Sequence, residues 1–495
     1  MEGRRSAKVT FLAAVCMAVA VVMGGAHVGL ALWSDNEFTQ VEGIVATQVR
    51  HFAETGGLYF GLAEYPYTVC AYMPMFYGVA AGLVKVGVPV LLADRLVTIG
   101  ALLALLWLTG RITGLFGLGV MEQRMAMGLV GLTQILGQWA TVGQVDTLAV
   151  AFAVAAFYEY ARFTREGAGS LDRAAGFALA GLLTKQTALA APAVIFLLLL
   201  GAGHRRQAWR FAGIVGGLGG ALVLGLNFLT DGRFFANTVF AMMNPLALYK
   251  LGMSLEYFGG VSAMLLIPVL ASVGVARREG CLAPYWYLAS ALGVYVLTAG
   301  KVGADLNYLL EVSVVLVMAA MVGLGRLRFF ELFAVGSRSW VTLLVLPVGI
   351  FVVQNARMGL VNLQGRYLRE QEFTAQVAGV RPFLVGEGRV LSADSNALLR
   401  AGRSIEVEAW VYRMLVEAGR IDGGPLERDL EAGAFRTVVL YDDVRLPADP
   451  DPEIPRLTQG QREAIGRRYE LVRHVGGPYL GGLYVYQRKG RGDGD

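Results

Sequence analysis

Apolar runs of about 18 to 25 residues recur along most of the chain, each long enough to cross a hydrocarbon layer of roughly 30 Å. The pattern predicts helices at about 9–32, 92–110, 117–138, 146–161, 174–189, 191–203, 210–228, 256–275, 284–299, 306–325 and 340–354, eleven in all. The segment "AYMPMFYGVAAGLVKVG" at 71–87 is also apolar. Pro74 and Lys85 leave it an uninterrupted run of little more than about ten residues, so it is read as a juxtamembrane helix on the outer face. The start "MEGRRSAKVTFLAAVCMAVAVVMGGA" resembles a signal peptide, but its apolar run continues to Trp33 and is read as an uncleaved first helix. From about Asn355 the texture turns charged and mixed, with strand-like "RVLSAD", "FRTVVLYDD" and "LYVYQRK" between helix-like stretches such as "RSIEVEAWVYRMLVEAG". The expectation is a polytopic α-helical membrane domain over 1–354, with an outer juxtamembrane loop at 33–91, followed by a soluble α/β domain over 355–495.

Composition agrees. Of 495 residues, 55% are hydrophobic and 16% charged, with mean hydropathy +0.53, too apolar for a soluble protein of this length. The net charge of +5 comes from basic residues in short clusters between apolar helices, a pattern of orientation signals rather than of a nucleic-acid surface. With the amino terminus inside, the inner loops carry Arg4, Arg5 and Lys8; Arg111 and Arg124; Arg162, Arg165 and Arg173; Arg205, Arg206 and Arg210; Arg277 and Arg278; and Arg326, Arg328 and Arg338. The opposite loops are acid-rich, so "WSDNEF" (33–38) and the carboxyl-terminal domain face outward, as expected of a multi-pass protein of a bacterial plasma membrane. Cys16, Cys70 and Cys281 have no metal or redox spacing. No cofactor is implied, and no clustered carboxylate or His/Cys set asks for a metal, whose involvement stays open.

Four outer segments hold more chemistry than loops require. The 33–91 stretch carries Asp35, Glu37, Arg50 and Tyr65; "GQVDTLAV" carries Asp146; "LLTKQTAL" carries Lys185; and "TAGKVGADLNYLLEV" carries Lys301, Asp305, Asn307, Tyr308 and Glu311. An ionisable group at a membrane helix centre costs up to about 3 kcal/mol, so Lys185 and Glu311 are expected to face a cavity or a partner. Snorkelling, helix packing or, for Asp146 and Asp305, helix capping are the alternatives. The combination suits group transfer from a membrane-held anionic carrier: a carboxylate can take a proton from an acceptor hydroxyl, and cations can stabilise a phosphate leaving group.

The acids after the first helix, the Tyr/Pro-rich "EYPYTVCAYMPMFYG", an Arg in "LADRLVTIGALLALL", the Asp of "GQVDTLAVAFAV", "GLLTKQTAL" and "GKVGADLNYLLE" together resemble bacterial GT-C membrane glycosyltransferases. Protein O-mannosyltransferases and lipid A aminoarabinose transferases belong to that group, and the likeness covers roughly 9–325. It implies a polyprenyl-phosphate-linked sugar donor, inverting transfer on the outer face to a lipid, glycan or protein acceptor, and a first-loop carboxylate as base. Carried onto this chain, the base is Asp35 or Glu37, although Asn36 separates acids that are adjacent in many relatives. Asp146 matches the second-loop acid, and Lys301, with Lys185 and Arg50, the donor-phosphate contacts. A lipid transporter or flippase, and a glycan polymerase or ligase, are the competing readings.

Overall fold

The computed structural model describes residues 2–337, 339–447, 455–478 and 480–489, so Arg338 lies outside the described residues, as do the side chains of Arg4 and Arg5. Each of the eleven predicted segments contains helix, but the lengths differ. Among the described residues, five helices are long and apolar enough to cross a membrane: Ala7–Trp33, Val90–Leu115, Arg205–Leu229, Leu306–Arg326 and Trp340–Leu384. The pair Leu248–Val261 and Ala263–Arg278, bent by 66°, brings the number to six if it is one span. Three of the other segments are short or broken. Predicted 117–138 breaks at Thr133 into Val120–Leu132 and Gln134–Trp139, predicted 174–189 ends at Leu182, and Ala190–Gly201 has 12 residues. Apolar composition continues through these breaks, which is why hydropathy alone draws longer helices.

The hub is Leu309–Arg326, buried along nearly its whole length and apolar on every side, as a helix surrounded by others must be. Around it pack Leu266–Arg278 and Ala283–Thr298. The first helix, Glu2–Trp33, lies on Val120–Leu132, where a Cβ at Gly128 would stand 3.0 Å from backbone atoms of Cys16 and Met17. The predicted inner loops gather at one end of this bundle: Arg165 donates to Gly280 O at 2.8 Å, Arg210 pairs with Asp172 at 2.5 Å, and Arg326 with Glu279 at 2.9 Å.

At the other end, the 33–91 stretch folds as Gln40–Thr55, an extended run and Pro74–Lys85, a 12-residue helix of about 18 Å, shorter than a crossing. The last apolar helix does not stop near residue 354 but continues unbroken as Val345–Leu384. It leads into a four-stranded sheet of order β1-β2-β4-β3, with β1 Arg389–Ser392, β2 Phe435–Leu440, β3 Tyr469–Gly477 and β4 Gly481–Arg488. β1 and β2 are parallel, and β4 is antiparallel to both β2 and β3. Buried Leu391, Tyr412, Leu426, Phe435, Val438 and Tyr486 form much of its core, and Tyr67 of the outer loop belongs to the same cluster. "RSIEVE" is extended: Tyr67 N–H donates to Glu406 O at 2.9 Å and Glu408 N–H to Tyr67 O at 2.8 Å. The 33–91 stretch and the carboxyl-terminal lobe thus share backbone pairing and a core.

Candidate active site

Where that lobe meets the bundle, at the end opposite the predicted inner loops, there is a cavity of about 370 Å³, with Lys185, Lys250, Lys301, Asp305, Tyr308 and Glu408 in its walls. Lys185 reaches it because the helix Leu171–Leu182 ends in a turn, fixed by the Thr184 hydroxyl donating to Ala180 O at 2.7 Å. Its Nζ pairs with Asp146 Oδ1, which also accepts from Asn307 Nδ2 at 3.1 Å, and sits 4.1 Å from the Tyr308 ring centroid. Asp146 Oδ2 is buried without a hydrogen-bond partner. One turn deeper, Glu311 accepts from the Tyr287 hydroxyl at 2.8 Å, and with Asp146, Lys185, Asn307 and Tyr308 it lines a second pocket of about 40 Å³, room for a water or two. Asp146, Lys185, Asn307, Tyr308 and Glu311 therefore converge. The Asp146–Lys185 pair also exceeds what a helix cap provides, since the cap of Val145–Glu166 is Gln144.

Lys301 lines the larger cavity from an irregular strip bridged to Leu246. Gly303 follows at φ 80°, and a Cβ there would meet the Trp410 ring at 2.9 Å, so glycine satisfies both the left-handed backbone and the close approach of the lobe. Asp305 Oδ1 accepts from Leu306 N–H at 2.6 Å, capping the next helix.

The first-loop acids sit elsewhere. Asp35 is exposed and pairs with Arg400 at 3.1 Å. Glu37 is 1% exposed, between the start of Gln40–Thr55 and the lobe, where its Oε2 accepts from the Ser395 hydroxyl at 2.7 Å and a Cβ on Gly43 would collide with it. Burial, with Asp394 nearby, pushes the Glu37 carboxyl well above its ordinary range. Asn36 and Ser34 bond Glu370 of the long helix at 2.7 and 2.5 Å. Arg50 donates to Arg403 O, and Tyr65 donates to Asp429 at 2.8 Å. None of Asp35, Glu37, Arg50 and Tyr65 lines the cavity. All four face the lobe.

Two buried ion pairs organise the region. Besides Asp146–Lys185, Arg95 grips Glu42 through Nε at 2.8 Å and Nη2 at 3.0 Å. Sequence reading singled out neither Glu42 nor Lys250 nor Glu408 as a site residue. Glu42 and Glu408 are ordinary acids in polar segments, and only the folding of residue 408 against residues 67–69 makes the latter a cavity wall. The Glu408 Oε2 accepts from Thr68 Oγ1 at 2.9 Å and Val69 N–H at 3.3 Å. Burial raises its carboxyl to about 7, opposed by those two donors. Among the described residues no group of three or more His, Cys, Asp and Glu could hold a metal ion. Cations, a carboxyl titrating near neutrality, and aromatic and amide groups around one cavity can hold a phosphate beside a hydroxyl and move a proton between them.

No protein-family model matches the sequence, and no curated protein sequence does. Solved structures do match. ArnT from Cupriavidus metallidurans bound to undecaprenyl phosphate aligns with TM-score 0.60 and 13% identity over 99% of each chain. The Archaeoglobus fulgidus oligosaccharyltransferase in the apo form aligns with TM-score 0.53 and 11% identity over 87% of this chain and 70% of its own. The same enzyme tethered with an acceptor peptide containing the NVT sequon gives TM-score 0.53 and 10% identity over 95% and 74%. These are GT-C glycosyltransferases, and the chain has their membrane-protein fold.

Proposed function

We propose that the protein transfers a sugar from a polyprenyl-phosphate-linked donor to an acceptor on the outer face of a bacterial plasma membrane. The observation that carries this reading is the cavity walled by Lys185, Lys250 and Lys301 at the junction of bundle and lobe. Lysine is a compact point charge suited to a phosphate, and three of them stand in these walls, with Asp146 paired to Lys185 and with Asp305 and Glu408 in the same lining. The likeness to ArnT bound to undecaprenyl phosphate over 99% of each chain supports a lipid-phosphate ligand in this fold.

The proposed topology takes the eleven predicted segments as crossings, the 12-residue Leu171–Leu182 and Ala190–Gly201 together with the turns that flank them, and puts the amino terminus inside and a carboxyl-terminal α/β domain outside. Six basic loops support it, and the contacts of Arg165, Arg210 and Arg326 gather inner-loop residues at one end of the bundle. Lys301 and Lys185 act on the donor phosphate.

The test incubates native membranes, with and without the protein, with radiolabelled polyprenyl-phosphate sugars extracted from the same membranes. Loss of label from the lipid, matched by its appearance in a second product, is the expected result. Movement of intact labelled lipid between leaflets without cleavage would replace the transferase reading with a flippase.

A further inference from the structure

Which group accepts the proton is a separate question. A base must touch the acceptor hydroxyl, and the larger cavity has two carboxylates in its walls, Asp305 and Glu408. Asp305 is engaged as a helix cap through Leu306 N–H at 2.6 Å. Asp146 lines the smaller pocket instead and is paired with Lys185 and Asn307. Glu408 is held differently. The backbone pairing of Tyr67 with residues 406–408 fixes its position, and its Oε2 takes hydrogen bonds from Thr68 and Val69, both on the outer loop.

We propose that Glu408, supplied by the carboxyl-terminal lobe, is the general base of the transfer. The proposal rests on the transferase reading above. As the acceptor oxygen forms its bond to the anomeric carbon of the sugar, its proton passes to a Glu408 oxygen. The bond from that carbon to the carrier phosphate breaks, and its electron pair leaves on the phosphate beside Lys301 and Lys250. Facing Glu408 are the Cys70 thiol and Tyr72 phenol of the outer loop, with Lys250, Lys301 and Asp305 in the walls of the same cavity. A carboxyl that titrates near the working pH is suited to accept a proton and release it again.

Full-length protein is reconstituted in nanodiscs, and two quantities are measured per inserted molecule: consumption of the labelled polyprenyl-phosphate sugars and binding of undecaprenyl phosphate. Glu408→Gln keeps the shape and the acceptor for Thr68 but cannot take the proton. Its turnover should fall by about 10²- to 10⁴-fold, with undecaprenyl phosphate binding within about twofold of wild type. The wild-type rate should rise with pH and level off above about 7, because the carboxylate is the active form. Thr68→Val removes a donor that favours the charged form and should move that rise to higher pH, which a merely structural Glu408 would not do. Turnover of Glu408→Gln within threefold of an active wild type overturns the base assignment and leaves the transferase reading standing. An unshifted profile in Thr68→Val overturns it as well, even if Glu408→Gln does not insert. A wild type that consumes no labelled lipid overturns both.

Discussion

Replacing Arg95 by Met should be among the most damaging single changes in the chain. Its guanidinium is 1% exposed and makes two bonds to Glu42, plus bonds to Ala31 O at 2.8 Å, Ser34 O at 2.6 Å and Asn36 O at 2.6 Å. It also lies 4.4 Å from the Phe38 ring centroid. Methionine fills much of the volume but strands a carboxylate that is 0% exposed, and breaking a buried pair from one side costs about 3–5 kcal/mol. Three orphaned carbonyls add roughly 1 kcal/mol each where water cannot reach them. Glu42 keeps its bonds from Phe38 N–H at 2.6 Å and Gly143 N–H at 2.8 Å, so part of its solvation survives. A loss of about 5 kcal/mol is the expected outcome. Glu42→Gln should cost less, and the double variant should fall short of the sum by about 2–3 kcal/mol, because an unpaired charge is no longer left behind. Unfolding in mixed micelles, followed by tryptophan fluorescence, measures all four corners of the cycle. Additive losses, with coupling under about 0.5 kcal/mol, would refute the view that this pair fastens the outer loop to the bundle.

Lys301→Gln should lower turnover per inserted molecule at least tenfold by the order of a lost charge-assisted contact, and Lys301→Arg should retain part of it; equal rates in wild type and Gln would remove Lys301 from phosphate binding. Asp35→Asn and Glu37→Gln should each keep about a third or more of wild-type turnover if Glu408 is the base, and a hundredfold loss in either returns the proton to the first loop. Reporter fusions after residues 60, 168 and 400 should read outside, inside and outside, and an inside signal at 400 would change the number of crossings by one.

Ionisable residues inside apolar helices announce themselves by their cost, and that is how Lys185 and Glu311 are legible in the sequence, whereas Asp146, at a helix start, reads equally as a cap. Asn307 and Tyr308 came with them as neighbours of Glu311. The direction of a side chain in an irregular loop carries no such signal. Asp35 and Glu37 stand one turn beyond the first helix, yet packing against Ser395 and Arg400, some 360 residues later, turns them toward the lobe. Glu408 was invisible for the same reason from the other side, since its environment consists of Thr68 and Val69. Helix ends went wrong where hydropathy and backbone part company. The chain turns after Leu182 although it stays apolar, and past residue 354 it stays helical although it turns polar.

The 40-residue helix Val345–Leu384 is about 60 Å long, twice the thickness of a hydrocarbon layer. It therefore works as a keyed shaft. One residue inserted between the buried Asn355 and Glu370 would turn everything beyond it by about 100° and advance it about 1.5 Å, enough to take Glu370 away from Ser34 and Asn36. An insertion of four residues leaves the rotation about 40° off and one of seven only about 20°, at the expense of a longer rise. A lobe exchanged between two such proteins would then be read by helical phase before it is read by sequence. Grafts that preserve the angle should seat their residue 408 over the cavity, and grafts that lose it should carry an intact lobe that faces the wrong way.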